Sequence, residues 1–272
     1  MEKVLLHTPE GVRDVYGKEC AVKLTIENSI NKVFNIYGYH NIQTPTFEFF
    51  DIFSKERGSV ASKNLYKFFD REGNTLVLRP DVTPSIARLV AKYYMDVKVP
   101  VKLCYNANTY INNSELQGKL KENTQLGCEL INDDSVEADA EILALVVDSL
   151  KAAGLKEFLV EIGHADFYKG LLEECGFDTE NEQELRKRIE NKNYFGVEEI
   201  LDNNNITGQL KEAFLKLPEL FGSIDVIKSA KELTDNKKAL QSIERLEKLY
   251  SILEDYGVSK YISLSLIHIW RC

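Results

Sequence analysis

The sequence has no run of about 18 apolar residues, the length that a helix needs to span a membrane. Residues 1–9 also lack the apolar core of a secretory signal peptide. From these two absences we expect no membrane association and a cytoplasmic protein. The 272 residues are 44% apolar and 28% charged, which is ordinary globular usage. A chain of this length can bury a substantial core.

Cysteine and histidine are scarce and scattered. The cysteines are odd in number and form no Cys-x-x-C motif: Cys20, Cys104, Cys128, Cys175 and Cys272. We therefore expect no disulfide framework, which agrees with a reducing compartment. The four histidines lie far apart and none has a ligand-spaced partner, so the sequence predicts no metal site.

Basic charge is also in deficit, with 34 Lys plus Arg against 43 Asp plus Glu and a net charge of −9. A dedicated nucleic-acid binder would carry a basic face that releases counterions. The chain has no glycine-rich phosphate loop, no nucleophile elbow and no H-E-x-x-H motif. The sequence therefore predicts no bound cofactor and none of these common catalytic centres.

Helical and strand patterns alternate in the first 165 residues. Apolar residues at helical spacing predict helices over 18–37, from Pro84 to about Tyr94, and over 135–153. Alternating or β-rich stretches predict strands at 39–44, 65–69, 75–79, 101–111, 124–131 and 158–162. Residues 70–74 predict a hairpin turn between two of them. This pattern indicates an α+β fold on a mostly antiparallel sheet.

The composition changes after residue 165. Residues 166–258 are strongly acidic and helix-like, so they predict a separate helical domain inserted after the α+β core of residues 1–165. Residues 259–272 then predict the start of a strand that returns to the core.

One predicted strand has an unusual polar face. Alternation places Gln125, Gly127 and Glu129 on one side and Leu126 and Cys128 on the other. The glycine would leave room for a ligand to approach the backbone between two polar groups. A solvated face of a half-exposed sheet is an equally good interpretation of this pattern.

A second candidate is the segment Arg79-Pro80-Asp81-Val82-Thr83-Pro84. Its two prolines fix the backbone around Asp81 and Thr83 at a strand-to-helix junction. In many proteins such residues only cap the helix. Alternatively, Asp81 projects into a site and forms, with Glu129, a two-carboxylate pocket for a cationic ligand.

These segments resemble a known family. Thr8-Pro9-Glu10-Gly11-Val12-Arg13-Asp14 is similar to the opening of histidyl-tRNA synthetase-like chains. The helix–strand unit that ends at Pro45 resembles motif 1 of class II aminoacyl-tRNA synthetases, which forms their dimer interface. Leu78 to Thr83 resembles their Leu-Arg-Pro-Glu/Asp-x-Thr element, and Leu103 to Glu129 covers motif 2 and its loop.

The resemblance spans about residues 5–165 and implies a class II synthetase-like fold. In the family, the first element and the strand after motif 2 bind the substrate histidine. Carried over to this sequence, the implied histidine-binding residues are Asp81, Thr83, Gln125 and Glu129.

The sequence departs from the family where the synthetases bind ATP. Their motif 2 reads Phe-Arg-x-Glu, whereas this chain has Tyr110-Ile111-Asn112-Asn113. Arginines of the motif 2 loop become Lys119 and Lys121, which lack the planar guanidinium fork. No catalytic residues are therefore expected.

The pattern resembles synthetase paralogues that regulate ATP phosphoribosyltransferase, the first enzyme of histidine biosynthesis. This resemblance implies a short-form catalytic subunit as partner, free histidine as a feedback ligand, and self-association through residues 18–45. Binding of tRNA is not expected.

The final stretch, Ser265-Leu266-Ile267-His268-Ile269-Trp270-Arg271-Cys272, matches nothing in that family. We interpret it as a truncation, a frameshift or a non-native junction. Two other functions remain open at this point. One is an active histidyl-tRNA synthetase, and the other is a defective fragment without function.

Overall fold

The computed structural model describes residues 6–54, 60–113 and 118–266. The chain divides into two units, one of residues 1–134 with 148–155 and the other of residues 135–147 with 156–272. This division by contacts falls before the domain boundary that the sequence analysis placed at residue 165. The end of the unusual tail, from residue 267, lies outside the described residues.

The first unit carries most of the elements that the sequence predicted. Its helices are α1 (Gly17–Ile36), α2 (Asp51–Ser54) and α3 (Thr83–Tyr93). Its strands are β1 (His40–Asn41), β2 (Phe47–Phe49), β3 (Lys67–Phe69), β4 (Thr75–Leu78), β5 (Val101–Tyr110) and β6 (Glu122–Ile131). Helix α4 (Val136–Ala152) has residues in both units.

Two long strands form the centre of the first unit. Strands β5 and β6 pair antiparallel along their whole length, from Val101 opposite Ile131 to Tyr110 opposite Glu122. The two-residue strand β1 pairs parallel with β5, which makes the sheet order β1-β5-β6. The strand predicted over 39–44 is therefore much shorter than expected, since only His40 and Asn41 join the ladder.

One face of this sheet packs against α3. The buried residues of this cluster are Val82, Ile86, Val101, Leu103 and Tyr105. Because side chains alternate along a strand, the odd-numbered residues of β5 point to this face. Their cross-strand partners in β6, which include Gln125, Gly127 and Glu129, share that face.

A second sheet, of order β2-β4-β3, is antiparallel throughout. Its β3–β4 hairpin confirms the predicted turn, in which Asp70 accepts hydrogen bonds from the backbone and side chain of Asn74. Arg79 follows β4 and is almost fully buried. Its guanidinium donates to the backbone oxygens of Thr44, Pro45 and Asn108, so this side chain links its own segment to the residues before β2 and to β5.

The second unit is mainly helical. Its further helices are α5 (Ala165–Cys175), α6 (Thr179–Glu190), α7 (Tyr194–Asn203), α8 (Gly208–Lys216), α9 (Val226–Glu232) and α10 (Lys237–Asp255). Helices α5 and α10 pack closely, because Gly170 lets the backbone of Ala239 approach. Asn236 begins α10 by accepting from the backbone nitrogens of Lys238 and Ala239.

Three short strands complete the second unit: β7 (Val160–Ile162), β8 (Phe221–Gly222) and β9 (Ile262–Ser265). Strand β9 lies between the other two, parallel to β7 and antiparallel to β8. The stretch 166–258 is thus not purely helical, because β8 interrupts it. Two residues of strand are too few to produce an alternating pattern that a sequence analysis could detect.

No helix among the described residues is both long and apolar enough to cross a membrane.

Candidate functional site

The four residues singled out by the sequence lie in two hydrogen-bonded pairs. Thr83, in the first turn of α3, donates from Oγ1 to Oε1 of Glu129 in β6 at 2.6 Å. Gln125, on the same face of β6, has its Nε2 3.5 Å from Oδ1 of Asp81. The structure therefore brings all four side chains together where the start of α3 meets the middle of β6.

The junction before α3 holds Asp81 in a defined orientation. Its Oδ1 also accepts from the backbone nitrogen of Val82 at 2.7 Å. The residue at the N-cap position of α3 is Val82, which has no capping side chain. Thr83 directs its hydroxyl to Glu129 and does not cap the helix. Neither Asp81 nor Thr83 therefore occupies the N-cap position that the alternative interpretation of this segment gave them.

Tyr105 is a site residue that the sequence analysis missed. It lies in β5 directly opposite Gly127, is buried, and has its hydroxyl over that glycine. A Cβ atom added at Gly127 would lie 2.4 Å from the tyrosine oxygen. The room that Gly127 leaves is therefore filled by this ring, and the expectation that a ligand would lie against the strand there is wrong.

The register of β5 against β6 is the signal that could have identified Tyr105. An aromatic residue opposite a glycine is a common way to fill the space above a strand. Once Val101 is paired with Ile131, Tyr105 falls opposite Gly127. The sequence contains both strands but does not state how they are aligned, because the connection between them fixes the register.

Carboxylates dominate the electrostatics of the site. Burial raises the pKa of Glu129, the Thr83 hydrogen bond partly offsets the increase, and the nearby charge of Asp81 raises it further. Burial also raises the pKa of Tyr105, and the charges of Glu129 and Asp81 add to this effect. Two acidic groups in one half-buried place favour a ligand that brings positive charge and hydrogen-bond donors.

A cleft of about 510 Å³ opens beside these residues. Tyr105 and Ala107 of β5 line it together with Arg79, Val82 and Thr44, whereas none of the four predicted residues lines it. Arg79 uses its donors on backbone oxygens. The polar cluster therefore adjoins the cleft at Tyr105.

The positions aligned with the ATP-binding residues of motif 2 lie at the far end of the same strands. Ile111 is half-buried, and its backbone nitrogen donates to the carbonyl oxygen of Lys121. The backbone nitrogen of Lys121 donates in turn to the oxygen of Gly11. Ile111 offers no charged group, and Asn113 offers only an amide. The connecting residues 114–117 lie outside the described part of the chain.

The described residues contain no cluster of three or more His, Cys, Asp or Glu side chains that could hold a metal ion. The two carboxylates of the site, Asp81 and Glu129, are each engaged with neutral donors. The arrangement is suited to binding an organic cation.

A comparison with family models matches residues 11–270 to histidyl-tRNA synthetase. Among curated proteins, the chain is 46% identical over 98% of its length to an ATP phosphoribosyltransferase regulatory subunit from Ruminiclostridium cellulolyticum. It spans 64% of that relative.

Solved structures show the same fold. An ATP phosphoribosyltransferase regulatory subunit/histidyl-tRNA synthetase from Bacillus halodurans matches with a TM-score of 0.89 and 35% identity, over 98% of this chain and 70% of that one. A histidyl-tRNA synthetase from Nostoc matches with a TM-score of 0.79 and 17% identity, over 97% of this chain and 62% of that one. This second likeness bears on the fold alone. The α+β class II synthetase-like architecture expected from the sequence is thereby confirmed.

Proposed function

The chain belongs to the histidyl-tRNA synthetase family, and from this membership we propose that it is a non-catalytic regulatory subunit of ATP phosphoribosyltransferase. In this role it serves the first step of histidine biosynthesis and binds free histidine for feedback control. The curated relative at 46% identity carries the name of that regulatory subunit.

One contrast within the first unit carries the proposal. The residues implied in histidine binding are present and hydrogen-bonded to one another, whereas Ile111 and Asn113 replace the Arg and Glu of the synthetase motif. Loss of a single donor aimed at developing charge typically costs about 2.7–4 kcal/mol of transition-state stabilisation. A chain that keeps the amino-acid site and lacks the phosphate-binding arginine is suited to sensing histidine rather than activating it.

Histidine fits the charge and the donor pattern of the site. Its ammonium group supplies the positive charge, and N–H groups of the ammonium and the imidazole donate hydrogen bonds to the carboxylates of Asp81 and Glu129. Gln125 and Thr83 then orient the ligand, and Tyr105 forms an apolar wall beside it. The hydrogen bonds to the two carboxylates are charge-assisted, and charge-assisted hydrogen bonds are stronger than those between neutral groups.

Two protein partners belong to the proposal. A short-form catalytic subunit binds one surface, and a second copy of the chain binds through residues 18–45. Self-association is supported by α1, on which Val22 is 58% exposed and Ile36 is 80% exposed. The two side chains lie on one face of the helix, because about four turns separate them, and an apolar face that stays exposed is typical of a protein–protein interaction site.

Catalysis is tested by histidine-dependent exchange between ATP and pyrophosphate. We expect no exchange above a control without protein, because Ile111 cannot stabilise the reacting phosphate. A robust exchange would establish a histidyl-tRNA synthetase instead. The complementary assay measures ATP phosphoribosyltransferase activity of a short-form catalytic subunit, alone and with this chain, and activity should require the chain.

Histidine binding is tested by calorimetry on the wild-type chain and on Glu129→Gln. The substitution removes the charge and keeps the shape, so affinity should fall by about 10- to 100-fold, the worth of one hydrogen bond to a charged group. Glu199→Gln is the matched control, since Glu199 is exposed on α7 in the second unit. Equal binding by all three proteins would show that this is not the histidine site.

Feedback requires that occupancy of this site and activity of the catalytic subunit be coupled. Coupling of binding free energies is reciprocal. If histidine changes the affinity of this chain for the catalytic subunit by some factor, the catalytic subunit must change the affinity of this chain for histidine by the same factor. Titrating histidine into the chain with and without the catalytic subunit measures this factor. A factor of one would exclude feedback that works by changing the affinity between the two subunits.

A further inference from the structure

Two cysteines face each other across the central pair of strands. Cys104 of β5 is directly opposite Cys128 of β6. Directly opposed residues of an antiparallel pair point to the same face of the sheet. This face is the one opposite Tyr105, Gly127 and Glu129, because neighbouring residues of a strand alternate.

The hydrogen-bond pattern shows which kind of pair they form. The carbonyl oxygen of Cys104 accepts from the backbone nitrogen of Ile42, so this residue directs its backbone groups toward β1 and away from β6. Cys104 and Cys128 are therefore a non-hydrogen-bonded pair, in which the two Cα atoms lie about 4.5 Å apart and the side chains are closest. That separation is within the range of about 4.4–6.8 Å that disulfides span.

We propose that Cys104 and Cys128 are a redox-modification site that forms a reversible cross-strand disulfide. The oxidant is a low-molecular-weight disulfide. The thiolate of Cys128 attacks one of its sulfur atoms and expels the other as a thiol. The thiolate of Cys104 then attacks the Cys128 sulfur of this mixed disulfide and expels the second thiol. The protein loses two electrons and two protons, and the small disulfide is reduced to two thiols.

Burial assigns the order of the two steps. Cys128 is half-buried and can meet a small oxidant, whereas Cys104 is completely buried and makes a contact of 3.5 Å from Sγ to Oδ1 of Asn41. Burial also raises the pKa of Cys104, which suppresses its thiolate. Cys104 is thus a poor first nucleophile, and it can act as the resolving thiol because its position opposite Cys128 supplies a high effective concentration.

The bond would be of the labile kind. Disulfides in a reducing compartment are usually transient, because thiols there keep cysteines reduced. A transient bond here agrees with the expectation that the chain has no permanent disulfide framework. It also places the modification one residue away from both Tyr105 and Glu129.

The test is peptide mapping of the intact native chain after incubation with glutathione disulfide. Trypsin separates the two cysteines, because Cys104 falls in the peptide 103–119 and Cys128 in the peptide 122–151. We expect these two peptides to be linked without reductant and separate after reduction. In a mixture of isotope-labelled and unlabelled chains, the two peptides of each linked pair should be either both labelled or both unlabelled. This result would show that the bond lies within one chain.

Three variants complete the experiment. Cys20→Ser should form the linked pair as the wild type does, since Cys20 lies on α1. Cys104→Ser should stop at a stable glutathione adduct on Cys128, whereas Cys128→Ser should leave Cys104 unmodified in the folded chain. A wild-type chain that keeps a glutathione adduct on Cys128, links other cysteines, or shows no modification would overturn the proposal.

Discussion

Thr83 donates a 2.6 Å hydrogen bond to Oε1 of Glu129, and so joins the first turn of α3 to a strand 46 residues later in the chain. The bond holds the carboxylate of Glu129 beside that of Asp81, whose charge raises its pKa. In the unliganded chain, the ionised form of Glu129 is thus stabilised by the hydroxyl of Thr83 and destabilised by burial and by the charge of Asp81. A cationic ligand would reverse that balance.

The substitution Glu129→Gln should separate stability from binding. The folded-state pKa of Glu129 lies above its unfolded value, so ionisation costs the folded state stability once the pH exceeds the unfolded pKa of about 4.3. At neutral pH the unliganded variant should unfold at the same or a higher urea concentration than the wild type. The difference should vanish at pH values below the unfolded pKa. A variant that is less stable at neutral pH would show that ionised Glu129 is a net stabilising group.

The substitution Gly127→Ala should destabilise the first unit by about 1–3 kcal/mol, the usual cost of overpacking. The added Cβ would lie 2.4 Å from the hydroxyl oxygen of Tyr105 and 2.5 Å from its Cζ, so the ring must move. Urea unfolding measures the cost, and Tyr105→Ala provides the second arm of a double-mutant cycle. In the Tyr105→Ala background the same substitution should cost much less. An equal cost in both backgrounds would mean that the contact does not limit packing.

His164 gives the second unit a pH dependence. Its Nδ1 accepts from the backbone nitrogen of Asp166 at the start of α5, which requires the neutral imidazole. Burial lowers its pKa, the charges of Asp166 and Asp139 partly oppose this, and those of Arg245 and Lys169 reinforce it. Because the unfolded chain takes up the proton first, stability should fall as the pH decreases from about 7 through the unfolded pKa of about 6.5.

His164→Asn tests this dependence directly. Asparagine is a strong N-cap residue and does not titrate. The stability of the wild type relative to the variant should therefore decrease between about pH 7 and pH 5.5, measured by urea midpoints at each pH. A constant difference across this range would show that His164 keeps its ordinary pKa in the folded chain.

Arg79→Met should cost about 1.5–3 kcal/mol, the usual worth of hydrogen bonds to a charged group, because it removes charged donors from three part-buried backbone oxygens. The matched control is Arg71→Met, at an exposed position of the β3–β4 turn, which should change stability by less than about 0.5 kcal/mol. Thermal or urea unfolding of both variants measures the difference. Similar small losses in the two would contradict a bracing role for Arg79.

The local parts of the fold could be predicted from the sequence because their signals are local. The hairpin at residues 65–79 contains its turn residues and its two strands in one short window. Helices α1, α3 and α4 each carry an apolar period that extends over several turns. The sequence overestimates the length of strand β1, because the number of its residues that pair depends on β5 and not on its own sequence.

The candidate site was only partly predictable for a related reason. The resemblance implied Asp81, Thr83, Gln125 and Glu129, and strand alternation placed two of them on one face. The position of Tyr105 over Gly127 depends on how ten residues of β5 are aligned with ten residues of β6. Alignment of this kind is a property of two segments and of the turn between them, so no single window of sequence contains it.

The strand order of the second unit also constrains the sequence of events during synthesis. Val160 of β7 pairs with Ile262 of β9, and Gly222 of β8 pairs with Leu264 of the same strand. Strands β7 and β8 therefore leave the ribosome before the strand that joins them exists, and helices α5 to α10 emerge in between. The entropic cost of bringing these distant strands together grows only logarithmically with the length of the connecting chain. Helices that have already packed shorten the effective length of that connection. This sheet can thus form only after helices α5 to α10 have been synthesised, and a nascent chain paused before residue 262 would expose two unpaired strands to chaperones and to other chains.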